Sequence, residues 1–185
     1  MGEELRGLVF EVAPSGDPDQ PRWGWVGLVS SARGLRLLTL PSKSRELALQ
    51  RMRRHYADVA LAPDDTFLCG MASQVYGYLM GQMTDFAIEL DLRGHSTFEL
   101  TVWAATCRIR YGETRTYGWI AGQVGGGPGT AQAAGAALGN NPVPLVVPCH
   151  RVIGSDGSLH GFAGGLDMKR RLLAPENQQM TLGLL

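Results

Sequence analysis

The most reactive side chain in this sequence is the thiol of Cys149, because a histidine and an arginine follow it directly. A thiolate is a strong nucleophile, and it needs a base to remove its proton. His150 is the nearest candidate for that base.

The segment that leads to Cys149, residues 142–148, contains three prolines and three consecutive apolar residues. Proline excludes helix, so we expect an extended and buried backbone here. Adjacent side chains of an extended chain point to opposite faces, so His150 is expected to act on the sulfur through a water molecule. From the spacing alone, a reactive nucleophile and an inert buried thiol both remain open.

The other two cysteines, Cys69 and Cys107, lie in apolar, helix-forming segments without an adjacent base. A buried thiol in such a setting behaves as a small hydrophobic side chain, so we expect both residues to serve packing. Three cysteines without a Cys-x-x-Cys pair indicate neither a disulfide framework nor a zinc site. We therefore expect no metal and no cofactor.

The composition is that of a globular protein, since 44% of the 185 residues are hydrophobic and 18% are charged. The 17 basic and 17 acidic side chains give no net charge, which argues against a polybasic nucleic-acid binder. Residues 1–97 nevertheless hold 10 basic and 12 acidic side chains, whereas residues 98–185 hold 7 basic and 5 acidic side chains. The first part of the chain is therefore slightly acidic and the second part slightly basic. Neither a bilayer-spanning run nor a secretory signal is evident, so we expect a cytosolic or nuclear protein without a membrane partner.

The first half of the chain has the pattern of strands followed by helices. Segments with the apolar content or alternation of strands are residues 5–12, 23–30, 34–40 and 86–92. Segments with helical spacing of apolar residues are residues 42–56, capped by Ser42 or Ser44, and residues 66–80. Residues 1–94 are therefore predicted to form an N-terminal support domain with a small antiparallel sheet.

Residues 95–185 are predicted to form a second, mostly helical domain. Its predicted helices cover residues 97–107, residues 116–124 with Thr116 as the cap, and residues 130–138. The last two helices flank a glycine-rich turn, which is typical of a helix-turn-helix but also of plain helix packing. Ala and Gly dominate the last helix, so it permits close approach to another helix or to a nucleic-acid groove. The expected fold class is two-domain α+β, with a winged-helix or helix-turn-helix-like second domain.

Several motifs around Cys149 together resemble the O6-alkylguanine-DNA alkyltransferase family. Those at the cysteine are Asn-Pro at residues 141–142, Val-Pro-Cys-His-Arg-Val at 147–152, Gly-Gly-Leu at 164–166 and Lys-Arg-Arg-Leu-Leu-Ala-Pro-Glu at 169–176. Those upstream are Phe-Glu-Leu-Thr-Val-Trp at residues 98–103 and Tyr-Gly-Glu-Thr-Arg-Thr-Tyr at 111–117. The Pro-Cys-His-Arg core is highly specific, whereas the N-terminal half matches the family only in layout.

The resemblance implies a DNA-repair methyltransferase that moves a methyl or larger alkyl group from O6 of guanine to Cys149, once per molecule. His150 would deprotonate the cysteine through a water molecule, and Glu176 would orient His150. Asn141 would brace the active-site turn, and Tyr117 would donate a hydrogen bond to the base as charge develops on it. Without the resemblance, Glu176 is interpreted as a solvated carboxylate and Tyr117 as a core aromatic.

The resemblance also implies a monomer that acts on double-stranded DNA and rotates the damaged base out of the duplex. The helix of residues 130–138 would enter the minor groove. Residues expected at the DNA on that helix are Thr130, Ala131, Gln132 and Gly135. Gln132 stands where the family carries an arginine that fills the gap left by the base, so this chain lacks that positive charge and guanidinium plane.

The same resemblance places Val152, Phe162, Ala163 and Gly164 at the substrate pocket. Phe162 stands where a tyrosine hydroxyl often contributes and Ala163 where a serine does, so we expect slower or differently selective transfer. Candidates for phosphate contact are Arg108, Arg110, Arg115 and Arg151. Arg151 is alternatively a structural residue beneath the site.

Two other functions are kept as alternatives. A module that binds alkylated DNA without repairing it fits the departures at Gln132 and Phe162, but relatives of that kind replace the cysteine. An unrelated thiol hydrolase using Cys149, His150 and Glu176 would separate its cysteine and histidine widely and would need an oxyanion hole, for which the sequence gives no signal.

Overall fold

The computed structural model describes residues 4–13 and 22–182 of the chain. The contacts within it divide the chain into two compact units, one that ends at Leu92 and one that begins at Arg93. Each unit combines helices with a small sheet, so the predicted α+β fold class is confirmed. None of the described helices combines the length and apolar character needed to cross a membrane.

The first unit is built on a four-stranded sheet. Its strands are β1 (Arg6–Val12), β2 (Gly24–Ser31), β3 (Gly34–Leu38) and β4 (Ala60–Leu61), and their order in the sheet is β3-β2-β1-β4. The hairpin of β2 and β3 is confirmed, and β1 also pairs with β2 in antiparallel fashion. The short strand β4 was not predicted; it runs parallel to β1, so the sheet is not purely antiparallel.

Two helices of this unit pack against the sheet, α1 (Arg45–His55) and α2 (Thr66–Leu79). Ser44 caps α1 by accepting a hydrogen bond from the backbone N–H of Leu47, whereas Ser42 lies outside the helix. Asp65 caps α2 in the same way. The buried cluster between α1 and the sheet consists of Val29, Leu37, Met52 and Val59.

The strand predicted over residues 86–92 is wrong, because among the described residues this segment forms a single isolated backbone bridge, between Leu35 and Leu90. The side chains do alternate between more buried and more exposed positions, which is the pattern that suggested a strand. The Gln74 side chain, however, binds both the backbone N–H and the carbonyl of Ala87, so these groups do not join a sheet ladder. The segment is therefore extended but tied to α2 by a side chain.

The described part of the second unit, residues 93–182, contains four α-helices, and three of them follow the predicted segments. They are α3 (Thr97–Thr106), α4 (Tyr117–Gln123), α5 (Thr130–Gly139) and α6 (Gly165–Leu182). Thr116 caps α4 as predicted, and a capping box of Ser96 and Glu99 begins α3. Two short parallel strands, β5 (Arg115–Thr116) and β6 (Val152–Ile153), join the entry of α4 to the segment after Cys149.

Trp103 links α3 to α5 in the core of the second unit. Its indole is almost fully buried, and Nε1 donates a hydrogen bond of 2.9 Å to the carbonyl of Ala137. This carbonyl belongs to the last turn of α5, where helix carbonyls have no partner within the helix. The indole of Trp103 therefore provides a hydrogen-bond partner for a carbonyl in the last turn of α5, the helix that was predicted to meet DNA.

Replacing Trp103 by phenylalanine should lower the free energy of unfolding by about 2–3 kcal/mol, because it removes the indole donor and leaves a buried carbonyl without a partner. Urea titration followed by circular dichroism measures this change. Trp119→Phe is the matched control, since Trp119 is half-buried and its effect should stay below about 1 kcal/mol. Equal losses for the two variants would contradict the role given to the Trp103 hydrogen bond.

Candidate active site

The backbone before Cys149 folds back on itself and is not the extended chain that the prolines suggested. Pro144 and Val147 form an isolated bridge, and Leu145 between them has a φ of 76°, in the left-handed region. Cys149–Arg151 then form a single turn of 3₁₀ helix. Proline excludes α-helix but not a turn, which is why this prediction was wrong.

Asn141 holds this fold-back in place with its side-chain amide. Its Oδ1 accepts a hydrogen bond of 3.0 Å from the backbone N–H of Val143. Its Nδ2 donates to the carbonyl of Val147 at 2.9 Å and to Sγ of Cys149 at 3.2 Å. The predicted bracing residue thus contacts the turn and the thiol with the same amide.

Cys149 is buried, with 7% of its surface exposed. Burial raises the pKa of its thiol, while the hydrogen bond from Asn141 and the charge of Lys169 act in the opposite direction. Since burial dominates, the thiol form prevails at neutral pH. Nucleophilic use of Cys149 therefore depends on a base.

His150 and Glu176, which the resemblance places together, form a buried pair. The imidazole is fully buried, and its Nε2 lies 2.8 Å from Oε1 of Glu176. Burial lowers the pKa of His150, so the ring is neutral at physiological pH and retains the capacity to accept a proton. The interpretation of Glu176 as a solvated carboxylate is excluded, because only 1% of the residue is exposed.

Arg151 completes this buried group. Its Nε and Nη2 donate to the two carboxylate oxygens of Glu176 at 2.9 and 3.2 Å, and its Nη1 donates to the carbonyl of Ile109 at 2.8 Å. Burial alone raises the pKa of Glu176, but the hydrogen bonds from His150 and Arg151 outweigh it and lower that pKa to about 2. The carboxylate is therefore ionised whenever the protein is folded near neutral pH. A guanidinium that is buried and bound in this way supports the interpretation of Arg151 as a structural residue beneath the site. It does not support a contact with phosphate.

Tyr117 is the first residue of α4 and is half-buried. Burial raises the pKa of its phenol, and the charge of the Cys149 thiolate raises it further. The phenol thus keeps its proton and can serve as a hydrogen-bond donor near the sulfur. α5 approaches this ring closely, because a methyl group added at Gly135 would lie 3.6 Å from it.

The remaining residues predicted for DNA contact lie on α5. Gln132 is exposed, and Thr130, Ala131 and Gly135 are partly exposed. Among the predicted pocket residues, Val152 is buried, Ala163 is exposed, and Phe162 and Gly164 are intermediate. The helix surface predicted to approach DNA is thus open to solvent.

Lys169 is a residue of the site that was not predicted from the sequence. Its ammonium is fully buried and donates to the carbonyls of Val152 at 2.6 Å and His160 at 3.1 Å. The spacing of the buried residues on α6 could have revealed it, since the helical face is formed by Lys169, Leu172, Leu173 and Glu176. In the sequence, Lys169 stood out only as part of the motif at residues 169–176, and no role was assigned to it.

The expectation that Cys69 and Cys107 are buried packing residues is wrong, because both are exposed. Cys69 lies on the outer side of α2 and Cys107 follows the end of α3, so helical, apolar sequence context did not imply burial. His160, for which the sequence suggested no partner, lies 2.8 Å from the Ser158 hydroxyl. Within residues 4–13 and 22–182, no three His, Cys, Asp or Glu side chains are arranged as metal ligands.

Comparison with known proteins identifies the same region of the chain. The model of the 6-O-methylguanine DNA methyltransferase DNA-binding domain matches residues 97–178. This segment includes Tyr117, Asn141, Cys149, His150 and Glu176. It also spans the motifs that carry the resemblance found in the sequence.

Several relatives named methylated-DNA–protein-cysteine methyltransferase are similar over most of their length. The protein of Mycolicibacterium paratuberculosis is 53% identical over 115 residues, which are 62% of this chain and 68% of that protein. The inducible protein of Bacillus subtilis is 38% identical over 151 residues, which are 82% of this chain and 83% of that protein. Both aligned stretches are longer than the second unit, so the similarity includes part of the first unit.

A similar fold has been solved for a protein of Mycobacterium tuberculosis. The crystal structure of its OGT in complex with DNA superimposes with a TM-score of 0.73 at 36% identity, covering 95% of this chain and 93% of that one. The resemblance is thus confirmed by sequence and by fold. The chain belongs to the methylated-DNA–protein-cysteine methyltransferase family.

Proposed function

We propose that this protein repairs DNA by transferring a methyl or larger alkyl group from O6 of guanine to Sγ of Cys149, after the damaged base has rotated out of the duplex. The observation that carries the proposal is the arrangement around the thiol. Asn141 contacts Sγ, and the next residue, His150, belongs to a buried chain that includes Glu176 and Arg151. Family membership supports the reaction class.

The chemistry begins with removal of the thiol proton by His150 through a water molecule. Glu176 holds the imidazole in place with Nε2 toward the carboxylate, which leaves the other ring nitrogen to accept the proton. The negative charge of Glu176 stabilises the imidazolium that forms, as a buried carboxylate does in other base-assisted nucleophiles.

The thiolate then attacks the alkyl carbon in line with the bond to guanine O6. A carbon–sulfur bond forms as the carbon–oxygen bond breaks, and the electron pair of that bond leaves with the guanine. Tyr117 donates a hydrogen bond to the base as this charge develops. The product is a thioether, which we propose is not turned over, so each molecule acts once.

Recognition of the duplex falls to α5 in this proposal. Its Ala and Gly residues permit close approach to the minor groove, and Gln132 is exposed where it would meet the orphaned base. With Arg151 and Lys169 buried, phosphate contact falls to the other arginines of the second unit. Two of these, Arg115 and Arg170, form ion pairs with carboxylates, so binding should be weak and salt-sensitive. We propose that the protein acts as a monomer. We also propose that it acts in the cytoplasm, or in the nucleus of a eukaryotic cell.

A lesion-binding protein that does not repair remains the second candidate. Gln132 and Phe162, which depart from the family pattern, favour it, and the buried thiol of Cys149 beside His150 opposes it. The two candidates differ in a single observable, which is a new covalent bond at sulfur. A test of that bond therefore separates them.

Intact protein incubated with duplex DNA that contains O6-methylguanine should gain one methyl group, located by peptide mass spectrometry on the fragment that contains Cys149. Cys149→Ala should gain none. The matched control is the double variant Cys69→Ser, Cys107→Ser, which removes the two exposed thiols and should be methylated as the parent is. A methyl group on Cys69 or Cys107, or tight lesion binding without methylation, would overturn the repair proposal.

Gln132→Arg should increase the single-turnover rate on methylated duplex about tenfold, because the guanidinium adds both a charge and a planar group at the position of the displaced base. Rapid-quench kinetics measures this rate. Gln123→Arg adds the same charge at the exposed end of α4 and should change the rate less than twofold at physiological salt. A Gln132→Arg variant no faster than the parent would contradict the role given to this helix position.

Glu176→Gln should slow transfer by about 10²-fold at pH 7, because His150 loses the carboxylate that stabilises its protonated form. Burial raises the pKa of the Cys149 thiol, so the parent rate should rise with pH, and the defect of Glu176→Gln should shrink once hydroxide removes the thiol proton without a base. A pH profile of the single-turnover rate measures both effects, with lesion binding as the check on folding. A defect that stays constant to high pH would exclude the proton-transfer role.

A further inference from the structure

We propose that His160 is a positioning residue that holds the loop of residues 154–160 closed through Ser158, and that the closed loop fixes the place of Phe162. The resemblance places Phe162 at the substrate pocket, so the inference for the rate of alkyl transfer rests on the proposed function. The inference for the loop itself does not, because closure of the loop is measurable without DNA. The two can therefore fail separately.

Three polar side chains of this loop form a short chain of hydrogen bonds. The Ser158 hydroxyl donates to Oδ1 of Asp156 at 2.5 Å and lies 2.8 Å from Nε2 of His160. The backbone N–H of Ser158 donates to the same carboxylate oxygen at 3.0 Å. Both bonds from Ser158 lower the pKa of Asp156, so the chain ends on a carboxylate that is ionised near neutral pH.

The chemistry of these groups fixes the direction of the chain. A hydroxyl has one proton and an ionised carboxylate only accepts, so the Ser158 proton is committed to Asp156. Nε2 of His160 therefore carries a hydrogen and donates it to the Ser158 oxygen, which both the neutral and the protonated ring can do. Since His160 does not take the proton of Ser158, the three side chains are not the base-activated nucleophile of a hydrolase.

The same side chains pack against the backbone at the start of the loop. A methyl group added at Gly154 would lie 2.6 Å from Oδ1 of Asp156 and 2.6 Å from Nε2 of His160, so a side chain at this position would displace both. The backbone N–H of Gly154 donates to the carbonyl of Ser158 at 2.8 Å, and its carbonyl accepts from the N–H of Gly157 at 3.1 Å. Side-chain and backbone hydrogen bonds therefore close the same loop.

The closed loop leads directly into the segment that carries Phe162. Three of residues 161–165 are glycines, whose backbone is freer than that of other residues, so the position of Phe162 depends on how the ends of the segment are held. At one end, the N–H of Gly165 donates to the carbonyl of Phe162 at 2.9 Å. At the other end, the carbonyl of His160 accepts from the ammonium of Lys169 at 3.1 Å, while the imidazole is held by the serine hydroxyl.

Hydrogen exchange of the Gly154 amide tests the closed loop without DNA, because this N–H binds the carbonyl of Ser158. His160→Leu keeps similar volume without a donor, and we expect the amide to exchange about fivefold faster than in the parent, the effect of one typical hydrogen bond. His160→Gln places an amide N–H near the position of Nε2 and should restore most of the protection. His55→Leu is the matched control, since His55 is exposed at the end of α1, and it should leave the exchange unchanged.

Single-turnover kinetics on methylated duplex tests the consequence for transfer. His160→Leu should lower the maximal rate about fivefold and change the duplex concentration for half-maximal rate less than about twofold, because the proposed duplex contact is made by α5. A variant that only loses folded protein would become methylated in smaller amount at the parent rate. The defect should be the same at mildly acidic and at alkaline pH, since His160 moves no proton, unlike the defect expected for Glu176→Gln.

Ser158→Ala keeps the proposal testable if His160→Leu does not fold. It removes the hydroxyl that joins His160 to Asp156 and should accelerate exchange of the Gly154 amide to the same extent. Where both variants fold, combining them should add nothing, because they break one chain of hydrogen bonds.

The outcomes separate the loop from the reaction. A Gly154 amide that exchanges in His160→Leu as in the parent, or equally fast in His55→Leu, would overturn the proposal. Faster exchange with an unchanged maximal rate would overturn the link to Phe162, and a rate defect that disappears at alkaline pH would contradict the positioning role. A parent protein that shows the protected amide but gains no methyl group would overturn the proposed function and leave the closed loop standing.

Discussion

The second unit depends on one buried carboxylate, that of Glu176. It binds the side chains of His150 and Arg151 and accepts a hydrogen bond from the backbone N–H of Gly112. Two separate segments of the chain, the turn of His150 and Arg151 and the loop of Gly112, therefore meet at one charged group, which α6 carries into the core. Removing one partner of such a buried pair is strongly destabilising because it leaves the other charge uncompensated. The same contacts that hold the unit together thus also hold the base of the site.

The distribution of positive charge follows from this arrangement. The second half of the chain has a small excess of basic over acidic residues, yet Arg151 and Lys169 lie inside the unit and face the site. The charge of Arg151 acts on Glu176 at hydrogen-bond distance, and the charge of Lys169 lowers the pKa of Cys149 against the larger effect of burial. Two of the cations counted in the zero net charge of the chain therefore act inside the second unit and not at its surface.

Much of the fold was predictable from local sequence signals. The β2–β3 hairpin and the α1, α2, α4 and α5 helices followed from apolar spacing, turn residues and caps such as Ser44 and Thr116. The prediction of a strand at residues 86–92 was wrong because the Gln74 side chain binds the backbone there. The prediction of an extended chain before Cys149 was wrong because Asn141 holds a fold-back with hydrogen bonds from its side chain. Long-range side-chain contacts of this kind leave no periodic pattern. Lys169 was missed for a different reason, since its charge concealed a helical spacing that was present.

The central claim is that Cys149 accepts the alkyl group and is consumed in doing so. The most direct test is a titration of excess O6-methylguanine duplex with a limiting amount of active protein, followed until repair stops. We expect a plateau of one repaired base for each protein molecule, with no further repair on longer incubation. Repair that continues beyond this ratio, or a plateau unchanged in Cys149→Ala, would contradict it.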